Sequence, residues 1–257
     1  MKTLMLTRNH RSKSDIEGAL QDGEMGFSRP IQLLKWLSDD RITVAIYSFQ
    51  FEIVIAFHVD ATTDHFLQST SCDPVRFVDA IGVAGRVHDG VLQEWNPICE
   101  QVQRQIQLFV RDNPSGLVTM AGYGPGGAIA SLNAIYTQTQ LFLSDRLRLM
   151  TFGGIRFATR KMRDAAGTLL SGNSFDFISG ADPIYARKRY ATLGSKYFRI
   201  GQLIHIRPDD EYRAYDRYWT NWERMRQSSD PDQHDLERYQ IEIEAWNGNV
   251  IRIPKSK

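Results

Sequence analysis

The residues that could do chemistry lie at a glycine-rich corner, GYGPGG, at positions 122–127. Its spacing matches G-x-S-x-G, in which a serine sits at a sharp turn between a strand and a helix and attacks a carbonyl carbon. Gly124 stands in the place of that serine, and glycine has no atom that could attack. The pattern predicts acyl-transfer chemistry but lacks the reacting group.

The next residue, Pro125, removes a second part of the expected machinery. In such corners the backbone N–H after the nucleophile helps to bind the negative charge that develops on the carbonyl oxygen, and proline has no N–H. Glycine relieves the backbone strain of the corner, and proline suits the first turn of a helix. We therefore expect a corner that holds the fold and no longer attacks esters.

Around the corner the hydrophobic pattern alternates between strand and helix, which predicts a largely parallel sheet. Strands are predicted at 117–123, 147–152, 174–179 and 197–208, with helices at 128–138 and 160–170.

Upstream, two apolar segments predict a hairpin inside the sheet, with Gln50 near its turn. The hairpin strands are predicted at 41–49 and 52–58, and helices at 30–40, 75–81, 92–109, 211–227 and 233–246. The helix at 30–40 rests on Ile31, Leu34 and Leu37, which follow helical spacing. The aromatic residues of 211–227 are expected to pack over the sheet or to form a face for a protein partner or homodimer.

Six segments in order resemble the class 3 lipases, a family of α/β-hydrolases. They read IVIAFHVDATTDHFLQS, GRVHDGVLQEW, GYGPGG, LMTFGGIRFA, FISGADPI and QHDLERY. The resemblance implies an α/β fold with a mostly parallel central sheet flanked by helices. We expect a single α/β-hydrolase-like domain over residues 1–257, in which 1–30 is a polar N-terminal arm.

The resemblance also implies positions for a catalytic triad, which runs Ser, Asp, His along the chain in this fold. Those positions fall on Gly124, Asp182 and His234, so two of the three functional groups are present. If Asp60 replaces the hydroxyl residue of the family's oxyanion loop, its carboxylate would repel the developing charge. The oxyanion and cleft positions implied are Phe57, His58, Val59, Asp60, Tyr123 and Pro125.

These residues leave the enzyme status open between two readings. One is an inactive pseudo-hydrolase that keeps Asp182, His234 and the cleft as a lipid-binding or protein-interaction module. The other is a carboxylic-ester or lipid hydrolase, of the lipase, phospholipase or feruloyl-esterase type. Its serine would have been replaced by Gly124, or His234 would activate water directly. Asp182 and His234 could also be ordinary structural residues, as is expected of His88 and His205.

Composition narrows the classes of partner. A net charge of +1 gives no electrostatic reason to expect nucleic acid or acidic membranes. Only two cysteines, no signal-peptide core and no membrane-length apolar run indicate a cytoplasmic chain without a transmembrane segment. No H-E-x-x-H or Cys/His cluster occurs, so neither a metal nor another cofactor is expected. The remaining partners are a lipid or acyl ligand, a protein, or further copies of the chain.

Overall fold

A computed structural model of the chain describes residues 13–21, 31–38, 41–59, 74–77, 83–170, 172–179, 182, 197–206, 213–215, 239 and 251–253. Its strands are β1 Gln32–Ser38, β2 Ile42–Phe49, β3 Glu52–Val59, β4 Pro74–Arg76, β5 Arg86–His88, β6 Leu117–Tyr123, β7 Leu147–Phe152, β8 Ser174–Ser179, β9 Gln202–Ile206, β10 Arg213–Tyr215 and β11 Ile251–Ile253. Its helices are α1 Lys13–Gln21, α2 Asp89–Asp112, α3 Pro125–Leu141 and α4 Arg160–Leu169, with a 3-10 turn at Ser144–Arg146.

One mixed sheet dominates the described residues, in the order β1-β2-β3-β6-β7-β8-β9-β10-β11. The central strands β3, β6, β7, β8 and β9 are parallel neighbours, as the alternation of strands and helices predicted. β1, β2 and β3 pair antiparallel, whereas β4 and β5 form a separate ribbon. The carboxyl ends of the parallel strands therefore meet at one edge of the sheet, where ligand sites of α/β sheets lie.

The predicted hairpin is confirmed. β2 and β3 pair along their whole length and are almost fully buried, because α/β sheets are covered on both faces. Gln50 lies in the turn between them with a φ of 29°. β3 lies directly beside β6, so the hairpin brings the segment from Phe57 onward to the edge of the sheet where β6 ends.

The helix predicted at 30–40 is wrong, because residues 32–38 form the edge strand β1. A bulge between Leu33 and Lys35 inserts one extra residue into the strand. Leu33 and Trp36 consequently pack on the same apolar cluster although they are three residues apart. The residues behind the helix prediction do not share a face of this strand: Ile31 packs on the same cluster, Leu37 belongs to a different one, and Leu34 is exposed.

Two further helix predictions fail where the structure describes the chain. Residues 74–76 form β4, in which Val75 pairs with Val87 of β5. Residues 213–215 form β10, which extends the sheet beyond β9. In both places backbone pairing with a neighbouring strand overrides the local pattern. The segments 78–81, 216–227 and, apart from Tyr239, 233–246 lie outside the described residues.

The core covers both faces of the sheet. Val44 and Ile46 of β2 face the large cluster to which α2, α3 and α4 contribute, while Ala45 and Tyr47 face a smaller one. Leu20 of α1, within the predicted N-terminal arm, packs against this smaller cluster. In the part of the chain that the structure describes, no helix is long and apolar enough to cross a bilayer.

Candidate functional site

The corner between β6 and α3 is built as the sequence predicted. β6 ends at Tyr123, Gly124 follows with φ 52° and ψ −123°, and Pro125 begins α3. The Gly124 N–H donates to the carbonyl oxygen of Phe152 at 2.9 Å, and the Gly124 carbonyl accepts from the Gly127 N–H at 3.1 Å. A positive φ of this kind strains any residue with a side chain. Glycine adopts this conformation without that strain, in a hydrogen-bonded turn that presents no side chain.

The glycines on either side of Gly124 allow β3, β6 and α3 to approach closely. A Cβ on Gly122 would overlap the carbonyl oxygen of Gly126, and a Cβ on Gly126 would overlap the carbonyl oxygen of Phe57. A Cβ on Gly127 would lie 3.2 Å from the Cβ of Thr151. Small residues at this helix start are therefore explained by close packing of helix and strands.

The predicted oxyanion segment lies at the end of β3. Phe57 and Val59 are buried, whereas His58 is half-buried. His58 pairs in register with Thr43 of β2. The carbonyl oxygen of Phe57 lies close to Gly126 at the start of α3. The described strand stops at Val59, so Asp60 lies outside the described residues.

Asp182 lies just beyond the carboxyl end of β8 and is fully buried. Its backbone N–H donates to the carbonyl oxygen of Ser179 at 3.0 Å. Its Oδ2 accepts a 2.5 Å hydrogen bond from the hydroxyl of Tyr239, a residue that is also fully buried. The pKa of Tyr239 is raised well above its ordinary value, first by burial and then by the charge of Asp182. The tyrosine therefore stays protonated and donates to the carboxylate.

Sequence reasoning missed Tyr239, which links Asp182 to the corner. Its ring lies edge-on to Tyr123, with 6.0 Å between the ring centroids. The sequence signal is faint, because QHDLERY resembles the family through its histidine and the tyrosine at its end belongs to no motif. His234 lies outside the described residues. Among the other predicted positions, Phe57 lies against the start of α3 beside the corner, and Asp182 reaches Tyr123 through Tyr239.

A second buried carboxylate, Asp176 of β8, lies on the opposite face of the sheet from Tyr239 and was also missed. It accepts hydrogen bonds from the Thr151 hydroxyl at 2.7 Å and from the Gly154 N–H at 3.3 Å. The Arg199 Nε lies 3.4 Å from its other oxygen and also donates to the Gly154 carbonyl. This cluster fixes the loop that follows β7. β7 is also the strand whose Phe152 carbonyl accepts a hydrogen bond from the Gly124 N–H.

His88 is a buried structural residue, as its sequence context suggested. It caps α2, because its Nδ1 accepts from the Gly90 N–H at 3.1 Å, and its ring packs 5.4 Å from that of Tyr197. Its Nε2 has no hydrogen-bond partner among the described residues. Burial lowers the pKa of His88, with Asp89 acting in the opposite direction.

This lowered pKa predicts a pH-dependent contribution to stability. Between about pH 6.5 and the lowered pKa of the folded state, the unfolded chain binds more protons, so the free energy of unfolding decreases as the pH is lowered through this range. His88→Asn keeps a capping oxygen but does not titrate. We expect this variant to be about 1–2 kcal/mol less stable at pH 8, because the imidazole packing is lost. Urea unfolding at pH 8 and pH 5 should show this gap narrowing; a constant gap would contradict the assignment.

The family model described as Lipase (class 3) matches residues 54–186, which include most of β3, the corner and Asp182. The chain belongs to the class 3 lipase family. A search of curated proteins finds no match.

Solved structures show that this family member has the α/β-hydrolase fold. The native Rhizomucor miehei lipase propeptide complex is 18% identical with a TM-score of 0.68, covering 82% of this chain and 68% of that one. A triacylglycerol lipase with a serine protease triad as its catalytic centre is 18% identical with a TM-score of 0.66, covering 80% and 78%. The lipase from Rhizopus microsporus var. chinensis is 16% identical with a TM-score of 0.66, covering 80% and 72%. The fold class expected from the sequence is confirmed.

Proposed function

We propose that this member of the class 3 lipase family is catalytically inactive toward esters and uses the hydrolase scaffold as a lipid-binding or protein-interaction module. One observation carries the proposal. Gly124 occupies the corner between β6 and α3 with φ 52° and ψ −123°, where the serine of G-x-S-x-G would project its hydroxyl. Covalent catalysis needs a nucleophile at this position, and this corner supplies none.

The residue after the corner supports the same conclusion. Pro125 begins α3 and has no N–H to donate to a developing oxyanion. Loss of one such donor costs about 10² to 10³ in rate in a working hydrolase. The proposal assigns Asp60 to the neighbouring loop, where its charge would oppose an oxyanion. A serine at position 124 alone would therefore regain little activity.

A lipid or acyl chain is the first occupant to test, because a similar structure is that of a triacylglycerol lipase. Native mass spectrometry of the purified chain should detect a retained fatty acid or bind added palmitate at a 1:1 ratio. A chain that binds no acyl ligand but sediments as a stable oligomer would instead support the protein-interaction role. The cleft proposed for either role is lined by His58, Asp60, Tyr123, Gly124, Asp182 and His234.

Restoring the missing parts in turn tests the proposal. We expect no reaction of the wild-type chain with a fluorophosphonate, which labels activated serines. Gly124→Ser should react slowly, and Gly124→Ser with Pro125→Ala should react faster, because alanine restores the N–H. Serine at a positive φ should also lower the free energy of unfolding by about 1–3 kcal/mol, so circular dichroism must confirm that each variant is folded.

Gly18→Ser is the matched control, since it adds a serine to a site with no atoms within 4 Å of a Cβ. It should remain unlabelled. Stoichiometric labelling of the wild-type chain would reveal a working nucleophile elsewhere and would refute the proposal.

Membership in a lipase family favours one alternative, a carboxylic-ester or lipid hydrolase. In that case a natural serine at position 124 has been replaced in this chain, or His234 activates a water molecule. A natural gene that encodes serine at position 124 would support the first version. The second requires turnover by the wild-type chain that disappears in His234→Ala.

A further inference from the structure

An apolar row crosses the central strands on the face opposite α3. Tyr123, Phe152, Phe177 and Ile204 are successive partners in register on β6, β7, β8 and β9. Phe152 and Phe177 stack, with 5.3 Å between their centroids. If this row were exposed to water, the chain would lose about 1.5–3 kcal/mol of hydrophobic stabilisation for each large side chain.

Tyr239, from the C-terminal part of the chain, packs on this row and belongs to the same hydrophobic cluster. It lies 57 residues after Asp182 in sequence and is fully buried. A phenol hydroxyl placed there must find a hydrogen-bond partner, because an unsatisfied buried polar group is costly.

The hydroxyl of Tyr239 finds its hydrogen-bond partner in Asp182. It donates to Asp182 Oδ2 at 2.5 Å. The Asp182 N–H in turn donates to the Ser179 carbonyl, which fixes the carboxylate at the end of β8. A charged acceptor makes this a stronger hydrogen bond than one between neutral groups.

We propose that Asp182 and Tyr239 form an anchor that fastens the C-terminal part of the chain to the apolar row. The pairing joins two buried residues that are 57 positions apart in sequence, so its loss is expected to free the segment around residue 239 before the core unfolds. In this anchor Asp182 has a structural role, the binding of Tyr239, that does not require a nucleophile at position 124. It goes beyond the proposed function and holds whether or not the chain hydrolyses esters.

Hydrogen exchange and limited proteolysis of the full chain test the anchor, with Tyr136→Phe as the matched control. Tyr136 is half-buried against Trp95 on the other side of the sheet and makes no contact with Asp182. In Tyr239→Phe, cleavage between residues 216 and 250 should be about tenfold faster than in wild type, a change equivalent to about 1.4 kcal/mol. Exchange within α3 should stay unchanged in both variants.

Two further variants test whether Asp182 or His234 is the residue that holds Tyr239. Asp182→Asn should accelerate cleavage in the same segment, and combining it with Tyr239→Phe should add little, because both remove one interaction. His234→Ala should leave the cleavage rate unchanged. The anchor is refuted if Tyr239→Phe behaves like Tyr136→Phe, if the two effects add fully, or if only His234→Ala frees the segment.

Discussion

Asp176→Ala is expected to lower the free energy of unfolding by about 3–5 kcal/mol. The carboxylate is buried, and its removal takes away the acceptor of the Thr151 hydroxyl and of the Gly154 N–H. It also removes the counter-charge of Arg199, whose side chain is only 11% exposed. A buried charge that loses its partner is much more costly than a broken surface pair.

Urea unfolding at pH 7 measures this loss, and Glu17→Ala serves as the control. Glu17 also pairs with a cation, Lys13, at 3.3 Å, but the side chains of Lys13 and Glu17 are 58% and 47% exposed. We expect the control to lose no more than about 1 kcal/mol. If the two variants lose the same free energy, the Asp176 cluster contributes no more than a surface ion pair.

Gly126→Ala is expected to destabilise the chain by about 3 kcal/mol, at the upper end of the usual cost of overpacking. The added Cβ would overlap the carbonyl oxygen of Phe57, which belongs to a buried strand and cannot rotate away as a side chain could. Relief would require α3 to move off β3, and this would disturb the corner at Gly124.

Thermal and urea unfolding of Gly126→Ala should be compared with Gly18→Ala. Gly18 lies in α1 with no atoms within 4 Å of a Cβ, so alanine should stabilise it by up to about 1 kcal/mol through helix propensity. Similar stabilities of the two variants would show that the packing of α3 against β3 does not depend on a glycine.

The fold could be predicted wherever the local pattern and the tertiary structure agree. The buried hairpin, the amphipathic α2 and the succession β6, α3, β7, α4 and β8 all have clear periodicity, and each is confirmed. β1 could not be predicted, because Ile31, Leu34 and Leu37 follow helical spacing although they do not share one face of the strand. β10 depends on pairing with β9, which no local pattern encodes.

The candidate site was predictable only in part, for a related reason. Gly124 and Pro125 are read directly from a contiguous motif, and their geometry follows from it. Asp176 and Tyr239 act through partners that are distant in sequence, Arg199 and Asp182, so their roles emerge only from the fold. A sequence motif does not specify the contacts that decide the role of Asp182, which is to bind Tyr239, to orient a catalytic histidine, or both.

The central claim is that a corner without a nucleophile leaves this lipase-family chain unable to cleave esters. The most direct measurement is the hydrolysis of short- and long-chain p-nitrophenyl esters by the wild-type chain, beside His234→Ala purified in parallel. We predict equal rates for both chains, no greater than that of buffer alone. Turnover by the wild-type chain that is lost in His234→Ala would contradict the claim and assign the chain to the active hydrolases.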